Sequence, residues 1–291
     1  MIDIPNSLVK ELAARRCILF LGAGIPASCT NGKGTAFKTW KDFLIAAASL
    51  VKDGPKRAIV DNLIAEKHAL LALQAIRDFA DPGDYLNFLK DEFNDAGVTA
   101  SALYHHIVNL DAKIVITTNF DRIYETYCWS LSSTTNSAYL ALLYNSDSLF
   151  DELRSDSRLI IKAHGSIGDP STMIFTRQEY HQAKARFAHF YELLQALFLT
   201  NTIVFLGCSL TDPDISLLLE DVKIITKQDS SKPTRTHYAF QREGEKDEIA
   251  VSDLLRTYNV KVISYGPNYK DLEPALKQLV EQVTGQRAIT P

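Results

Sequence analysis

Cys17-Ile18-Leu19-Phe20-Leu21, followed at once by Gly22-Ala23-Gly24-Ile25-Pro26-Ala27, is the stretch on which the fold turns. A short apolar run bounded by glycine reads as a strand buried on both faces. Gly22, Gly24 and Ala27 fit the G-x-G-x-x-A spacing of a turn that brings a dinucleotide pyrophosphate against a helix start. The first glycine allows the tight turn, and the second removes the Cβ that would stand in the way of a phosphate. Pro26 suits a helix opening, where its missing N–H is not needed. Amides at that helix start, helped by roughly half a positive charge from the aligned peptide dipoles, would face the anion. The same spacing also describes an ordinary strand-to-helix turn, so its meaning depends on the other strand ends.

The chain has 291 residues, enough for one large or two small domains. With 46% hydrophobic and 23% charged residues it has the composition of an ordinary soluble globular protein. A formal net charge of −4 gives no global attraction to nucleic acid or membrane, and no direct nucleic-acid binding is expected. Cys17, Cys29, Cys128 and Cys208 stand far apart with no C-x-x-C pair, which excludes a zinc ribbon by spacing and outlines no disulfide framework. The N-terminus lacks the pattern of a signal peptide. The longest apolar stretch, Phe43 to Val51, is far short of a membrane span. A cytoplasmic protein is expected.

Further strand-like runs are Lys113–Thr117, Arg158–Ala163, Thr172–Phe175, Thr202–Leu206, Thr236–Phe240 and Val260–Ser264. Helical patterns stand between several of them, among them Phe187–Thr200, Asp214–Thr226 and Asp271–Val283. Thr176 and Glu179 have the spacing of a capping box, so a helix is expected to begin there. From Thr39 to Leu110 the pattern is almost wholly helical, as Trp40–Val51, Lys56–Phe79, Asp84–Asn94 and Ser101–Leu110. The alternation of apolar strands with helices predicts an α/β fold, a Rossmann-like parallel sheet with helices on both faces. The expected organisation is a single domain over residues 1–291, with a mostly helical insert at about 39–110. That insert is either a lid over the ligand pocket or additional core packing.

In an open parallel sheet, ligands bind outside the carboxyl ends of the strands. Polar or glycine residues stand at four such ends: Gly22-Ala23-Gly24, Thr117-Thr118-Asn119-Phe120-Asp121, His164-Gly165 and Gly207-Cys208-Ser209. Singly, each has a plainer reading. Asn119 and Asp121 suit a turn and a helix cap, and His164 suits a hydrogen-bonded structural histidine. Gly207 and Ser209 suit a helix-start turn. Together and in this order they are much harder to explain that way.

With these motifs the sequence resembles the sirtuin superfamily, whose Gly-Ala-Gly turn, Thr-x-Asn-x-Asp segment, His-Gly and late Gly-x-Ser all stand here between Gly22 and Ser209. The stretch Met173–Tyr180 is similar to the segment after His-Gly in that superfamily. Trp40-Lys41-Asp42-Phe43-Leu44 is similar to sirtuin-like domains of bacterial defence proteins. The departures point to a subfamily. Protein deacetylases of this kind carry a four-cysteine zinc module between His-Gly and Gly-x-Ser, and no cysteine lies between His164 and Gly207. Their Pro-Asp-Phe-Arg segment is missing from the region Gly32 to Trp40. The resemblance is therefore to zinc-less sirtuin-like NAD hydrolase domains of antiphage systems.

That resemblance implies NAD as substrate, no zinc, and cleavage of the nicotinamide–ribose bond to nicotinamide and ADP-ribose. It implies Asn119 and His164 as catalytic residues. Asn119 would position water or a ribose hydroxyl, and His164 would take or share a hydroxyl proton, since an imidazole ordinarily titrates near neutral pH. Gly22, Ala23, Gly24, Thr118, Asp121, Gly207 and Ser209 would line the NAD site, with Asp121 either holding the nicotinamide amide or capping the next helix. The competing expectations are an NAD-dependent protein deacylase and a non-catalytic NAD or ADP-ribose sensor. An unregulated NAD hydrolase would kill its host. Activation is therefore expected to depend on homo-oligomerisation or on a separately encoded partner, such as an ATPase, a helicase or an Argonaute-like protein.

Overall fold

The structure is a computed structural model that describes residues 2–30, 38, 40–93, 97–132, 138–208, 210, 219–220, 223 and 235–289. Its centre is a seven-stranded sheet in the order β3-β4-β2-β1-β5-β6-β7. The strands are β1 (Cys17–Leu21), β2 (Ile114–Thr117), β3 (Tyr139–Leu143), β4 (Arg158–Lys162), β5 (Thr202–Leu206), β6 (His237–Gln241) and β7 (Val260–Ser264). All neighbours pair in parallel. From β1 the chain builds β2, β3 and β4 to one side, then β5, β6 and β7 to the other. The direction of growth reverses between β1 and β5. Their carboxyl ends thus form the switch point at which open α/β sheets bind ligands.

Side chains of β1 alternate between two cores, as period-two geometry requires. Leu19 and Leu21 join Val115, Ile160 and Val204 under α1 (Asn6–Ala13), α6 (Ala102–Asn109), α7 (Ile123–Ser132) and the last helix, Leu272–Ile289. Ile18 and Phe20 join Ile116, Ile161 and Phe205 under α8 (Leu149–Glu152), α9 (Arg177–Arg186), α10 (Ala188–Thr200) and the helix Glu248–Tyr258. The α/β fold with helices on both faces is the one expected from the sequence. The capping box is also present, with Thr176 and Glu179 bonding to each other's backbone at the start of α9.

The long helical stretch divides. Helices α2 (Trp40–Ala48), α3 (Gly54–Ala65), α4 (Ala69–Phe79) and α5 (Pro82–Glu92) form their own core around Phe43, Ala47, Val60, Leu73 and Ile76. Helix α6 instead lays Leu103, Tyr104 and Ile107 on the sheet. The expected helix Lys56–Phe79 is broken at Lys67, whose φ of +62° cannot continue an α-helix.

Two local expectations are corrected, and one strand is added. No α-helix follows the glycine turn directly; Pro26–Ser28 is a single 3-10 turn, so the dipole of a full helix is not available there. Thr172–Phe175 is not a strand, because its apolar residues serve different cores: Ile174 packs under the sheet, while Met173 and Phe175 join the helical insert. The edge strand Tyr139–Leu143, half-buried along most of its length, was not expected. The expected helix Asp214–Thr226 lies mostly outside the described residues.

One buried ionisable group of the sheet carries a pH prediction. His237 on β6 is 4% exposed, and its Nδ1 accepts the Ile203 backbone N–H of β5 at 3.1 Å. The imidazole takes the place of a ladder carbonyl, so it must stay neutral at Nδ1. Burial pushes its pKa down from 6.5 to about 4. Between those values the unfolded chain binds a proton that the folded protein refuses, so stability is complete above about pH 6.5 and is lost as pH falls toward 4. The interval corresponds to roughly 3 kcal/mol. Urea unfolding at pH 7.5 and 4.5 is expected to show this slope for wild type and a flatter one for His237→Leu. Equal slopes would contradict it.

Candidate functional site

Register sets the geometry of the site. Leu21 pairs with Thr117 on one side and with Leu206 on the other, and Thr117 pairs with Lys162. The residues just past these positions therefore line up along the carboxyl edge: His164 after β4, Asn119 after β2, the Gly22–Gly24 turn after β1, and Gly207 after β5. With strands about 4.8 Å apart, the row is roughly 14 Å long. The structure thus brings together Gly22, Ala23, Gly24, Thr118, Asn119, Asp121, His164 and Gly207. Ser209 lies outside the described residues.

The two glycine turns interlock. Gly22 N donates to Leu206 O at 3.0 Å, and Gly24 N donates to Gly207 O at 2.9 Å. A Cβ on Gly22 would lie 2.6 Å from Gly207 O and 2.7 Å from Cys208 Sγ, which leaves no room for a side chain. Ala23 and Gly24 are exposed, and Gly24, lacking a side chain, presents its backbone to solvent at the switch point. That surface suits close approach of a phosphate.

The loop after β2 is tied to the same turn. Thr117 Oγ1 donates to Leu21 O at 2.9 Å and accepts Asn119 N–H at 3.0 Å. Asn119 Nδ2 donates to Gly22 O at 3.0 Å, which fixes the carboxamide against β1. Asp121 is 6% exposed, and its Oδ1 accepts Ile123 N–H at 3.0 Å, at the start of α7. Of the two roles open to Asp121, helix capping is the one its geometry displays.

His164 is 8% exposed, and its backbone carbonyl accepts Ile174 N–H at 2.9 Å. The chain returns through Gly165, whose φ of +86° suits glycine. Ile167 N donates to Phe120 O at 2.9 Å and joins this loop to the one carrying Asn119.

Sequence reasoning missed two features. Phe120, between Asn119 and Asp121, stacks on Phe175 with ring centroids 4.2 Å apart, and Phe175 stacks on Phe43 of the insert at 5.8 Å. The insert therefore grips both loops that carry the candidate catalytic residues. The other is Lys162, the last residue of β4, buried with Glu125 of α7. A lysine ending the apolar run Leu159-Ile160-Ile161 was the available signal. A groove of about 560 Å³ between α4 and α9, lined by Leu70, Leu71, Gln74, Arg177, His181 and Ala185, shares no residue with the row. Among the described residues, no three His, Cys, Asp or Glu side chains gather as a metal site, and no helix is long and apolar enough to cross a membrane.

A parallel doubly wound sheet with interlocked glycine turns at its switch point defines a Rossmann-like α/β protein. The family model of the SIR2-like domain matches residues 113–263, from just before β2 into β7. The chain belongs to this SIR2-like family. It is 23% identical to NAD(+) hydrolase ThsA of Acinetobacter baumannii (strain 532279), over 95% of this chain and 55% of that protein. It is 22% identical to NAD(+) hydrolase ThsA of Bacillus cereus (strain MSX-D12), over 96% and 56%. Half of the chain aligns at 26% identity with 14% of Defense-associated sirtuin 2 of Bacillus subtilis. The chain spans about half the length of the curated ThsA relatives it matches. A crystal structure of a Sir2 homolog–NAD complex superposes over 98% of this chain at 13% identity and a TM-score of 0.48.

Proposed function

We propose that this chain hydrolyses NAD: water cleaves the N-glycosidic bond between nicotinamide and ribose, giving nicotinamide, ADP-ribose and a proton. The observation that carries the reading is the row of Gly22–Gly24, Asn119 and His164 aligned across adjacent strands at the switch point. Its context supports it, since relatives that align with almost the whole chain are named NAD(+) hydrolases. A role in antiphage defence is part of the same proposal, supported by the likeness to a defence-associated sirtuin.

Departure of nicotinamide leaves cationic character on the ribose, and the site must stabilise it while delivering water. The exposed Ala23-Gly24 backbone takes the pyrophosphate, with Thr118 and Gly207 beside it. Asn119, held against Gly22 O, orients the water or a ribose hydroxyl through its carboxamide. His164 accepts the proton released by that hydroxyl or water. Asp121 acts on the loop as the cap of α7 and is not assigned to ligand. Ser209 remains a proposed NAD contact by resemblance alone. Regulation by self-assembly or by a separate partner completes the proposal, because constitutive loss of NAD would be lethal.

Incubation of the purified protein with NAD, followed by chromatography, tests this. Equal release of nicotinamide and ADP-ribose is expected from wild type, falling by about 10²-fold or more in Asn119→Ala with folding retained. Undiminished release by Asn119→Ala would remove that residue from the centre. Cleavage that starts only on self-assembly or with a partner added would fit the proposed regulation, and ADP-ribose binding without cleavage in any of these conditions would instead favour a sensor.

A further inference from the structure

Lys162 and Glu125 are among the most deeply buried charged side chains of the described residues, 2% and 3% exposed, and the proposed reaction gives neither a part. Lys162 Nζ donates to Glu125 Oε1 at 3.0 Å and also donates to the backbone carbonyl of Asp121. Burying such a pair is costly, and apolar residues of similar volume often serve a core equally well or better. A pair kept in that setting calls for a role beyond packing. The position of the second bond supplies one.

Lys162 closes β4 two residues before His164, and Asp121 closes the turn that carries Asn119. The side chain crosses from β4 to the loop after β2, on the face where Ile160 and α7 pack. Glu125 stands in the first turn of α7, where the N-terminal dipole favours a carboxylate. The same turn is capped by Asp121. One ammonium thus joins the strand end leading to His164, the loop bearing Asn119, and the helix that follows that loop. The Thr117–Asn119 and Asn119–Gly22 bonds hold the other side of the loop.

We propose that Lys162, held by Glu125, is a positioning residue that sets the Asn119 loop against His164. The inference rests on the reading of Asn119 and His164 as the NAD-cleaving centre. Lys162 touches no substrate in this role; it acts through the Asp121 carbonyl. Without it the Asn119 carboxamide remains in the chain but loses a fixed distance from the imidazole, and rate suffers more than affinity.

The test compares wild type, Lys162→Met, Lys162→Gln and the double variant Lys162→Met/Glu125→Leu. Each is measured for NAD turnover, thermal melting and amide hydrogen exchange over residues 119–123. Lys162→Met is expected to lower kcat by about tenfold or more with KM within about threefold, and to speed exchange in that segment. The double variant is expected to recover the melting temperature, since no charge is left unpaired, while kcat stays low and exchange stays fast. Wild-type kcat and exchange in the double variant would overturn the proposal and leave an ordinary buried ion pair. Should the double variant not fold, the single variants decide. Lys162→Gln keeps an N–H donor and is expected to retain more kcat than Lys162→Met at equal folded fraction, and the reverse order overturns the proposal. If wild type cleaves no NAD, alone or with a partner added, the functional reading fails separately. Hydrogen exchange still decides the clamp: selective loss of protection at 119–123 supports it, and unchanged protection refutes it.

Discussion

His164→Ala is expected to lower NAD turnover by about 10²–10⁴-fold, equivalent to roughly 3–5 kcal/mol of barrier, while the protein stays folded. The fold should survive because the contacts that shape this loop are made by backbone. Ala163 N donates to Thr117 O at 2.9 Å, and His164 O accepts Ile174 N–H at 2.9 Å, and alanine keeps both groups. Loss of a buried imidazole costs stability in the range of most core truncations, roughly 1–3 kcal/mol. Rate and stability are therefore affected on different scales. Circular-dichroism melting beside chromatographic turnover separates them. Activity above about half of wild type in a folded variant would remove His164 from the reaction. Asn119→Ala provides the companion measurement, because the two side chains follow adjacent strands and are proposed to act on the same ribose.

Much of this arrangement was legible in the sequence, for a definite physical reason. A strand buried on both faces must be apolar along its whole length, so Cys17–Leu21 and Thr202–Leu206 stand out, and each ends where the chain turns to glycine. Residues at the carboxyl ends of parallel strands then become neighbours whatever their separation in sequence. Asn119 and His164 could be brought together on that logic before any coordinates. Register made the statement sharper, placing both two residues beyond one paired position, Thr117 and Lys162.

What was not legible depends on contacts that pattern alone does not encode. Met173-Ile174-Phe175 has the look of a strand because it is buried, yet its side chains are divided between two cores. The helical stretch gave no sign of where the insert ends, because α6 and α5 are both amphipathic and only the surface they meet differs. Phe120 sits between two polar residues of a turn and still belongs to the insert's aromatic cluster. The sequence leaves Asp121 open between ligand and cap, and only the structure shows the Ile123 amide pointing at its carboxylate. The glycine turn shows the opposite error: its spacing matched a dinucleotide fingerprint, but the helix that the fingerprint leads into is only a 3-10 turn there. The anion binding proposed for this turn would then fall to close backbone approach more than to a helix dipole.

Gly165→Ala is expected to be as damaging to the fold as His164→Ala is to the rate. Two independent penalties meet at this residue. Its φ of +86° lies in the left-handed half of conformational space, which costs an alanine roughly 1–2 kcal/mol. A Cβ built there would also stand 2.2 Å from Thr172 O and 2.7 Å from Thr172 Oγ1, so Thr172 would have to move. Overpacking of this kind typically costs about 1–3 kcal/mol. Thr172 Oγ1 accepts Ser166 N–H at 3.3 Å and donates to Asp169 O at 2.6 Å, so its displacement opens the loop that turns the chain back after His164. Together the penalties predict a loss of about 2–5 kcal/mol and a fall in melting temperature of roughly 5–15 °C. Gly168→Ala is the matched control in the same loop. Its nearest neighbours to an added Cβ are Arg122 Cδ at 3.5 Å and Ser166 Oγ at 3.6 Å, both ordinary contacts. It is expected to change stability by no more than about 0.5 kcal/mol. Equal melting of the two variants would mean that the backbone after His164 is not held as these distances require, and the case for a preorganised imidazole would fall with it. A large loss confined to Gly165→Ala would tie the conformation of this one residue to the placement of His164 beside Asn119.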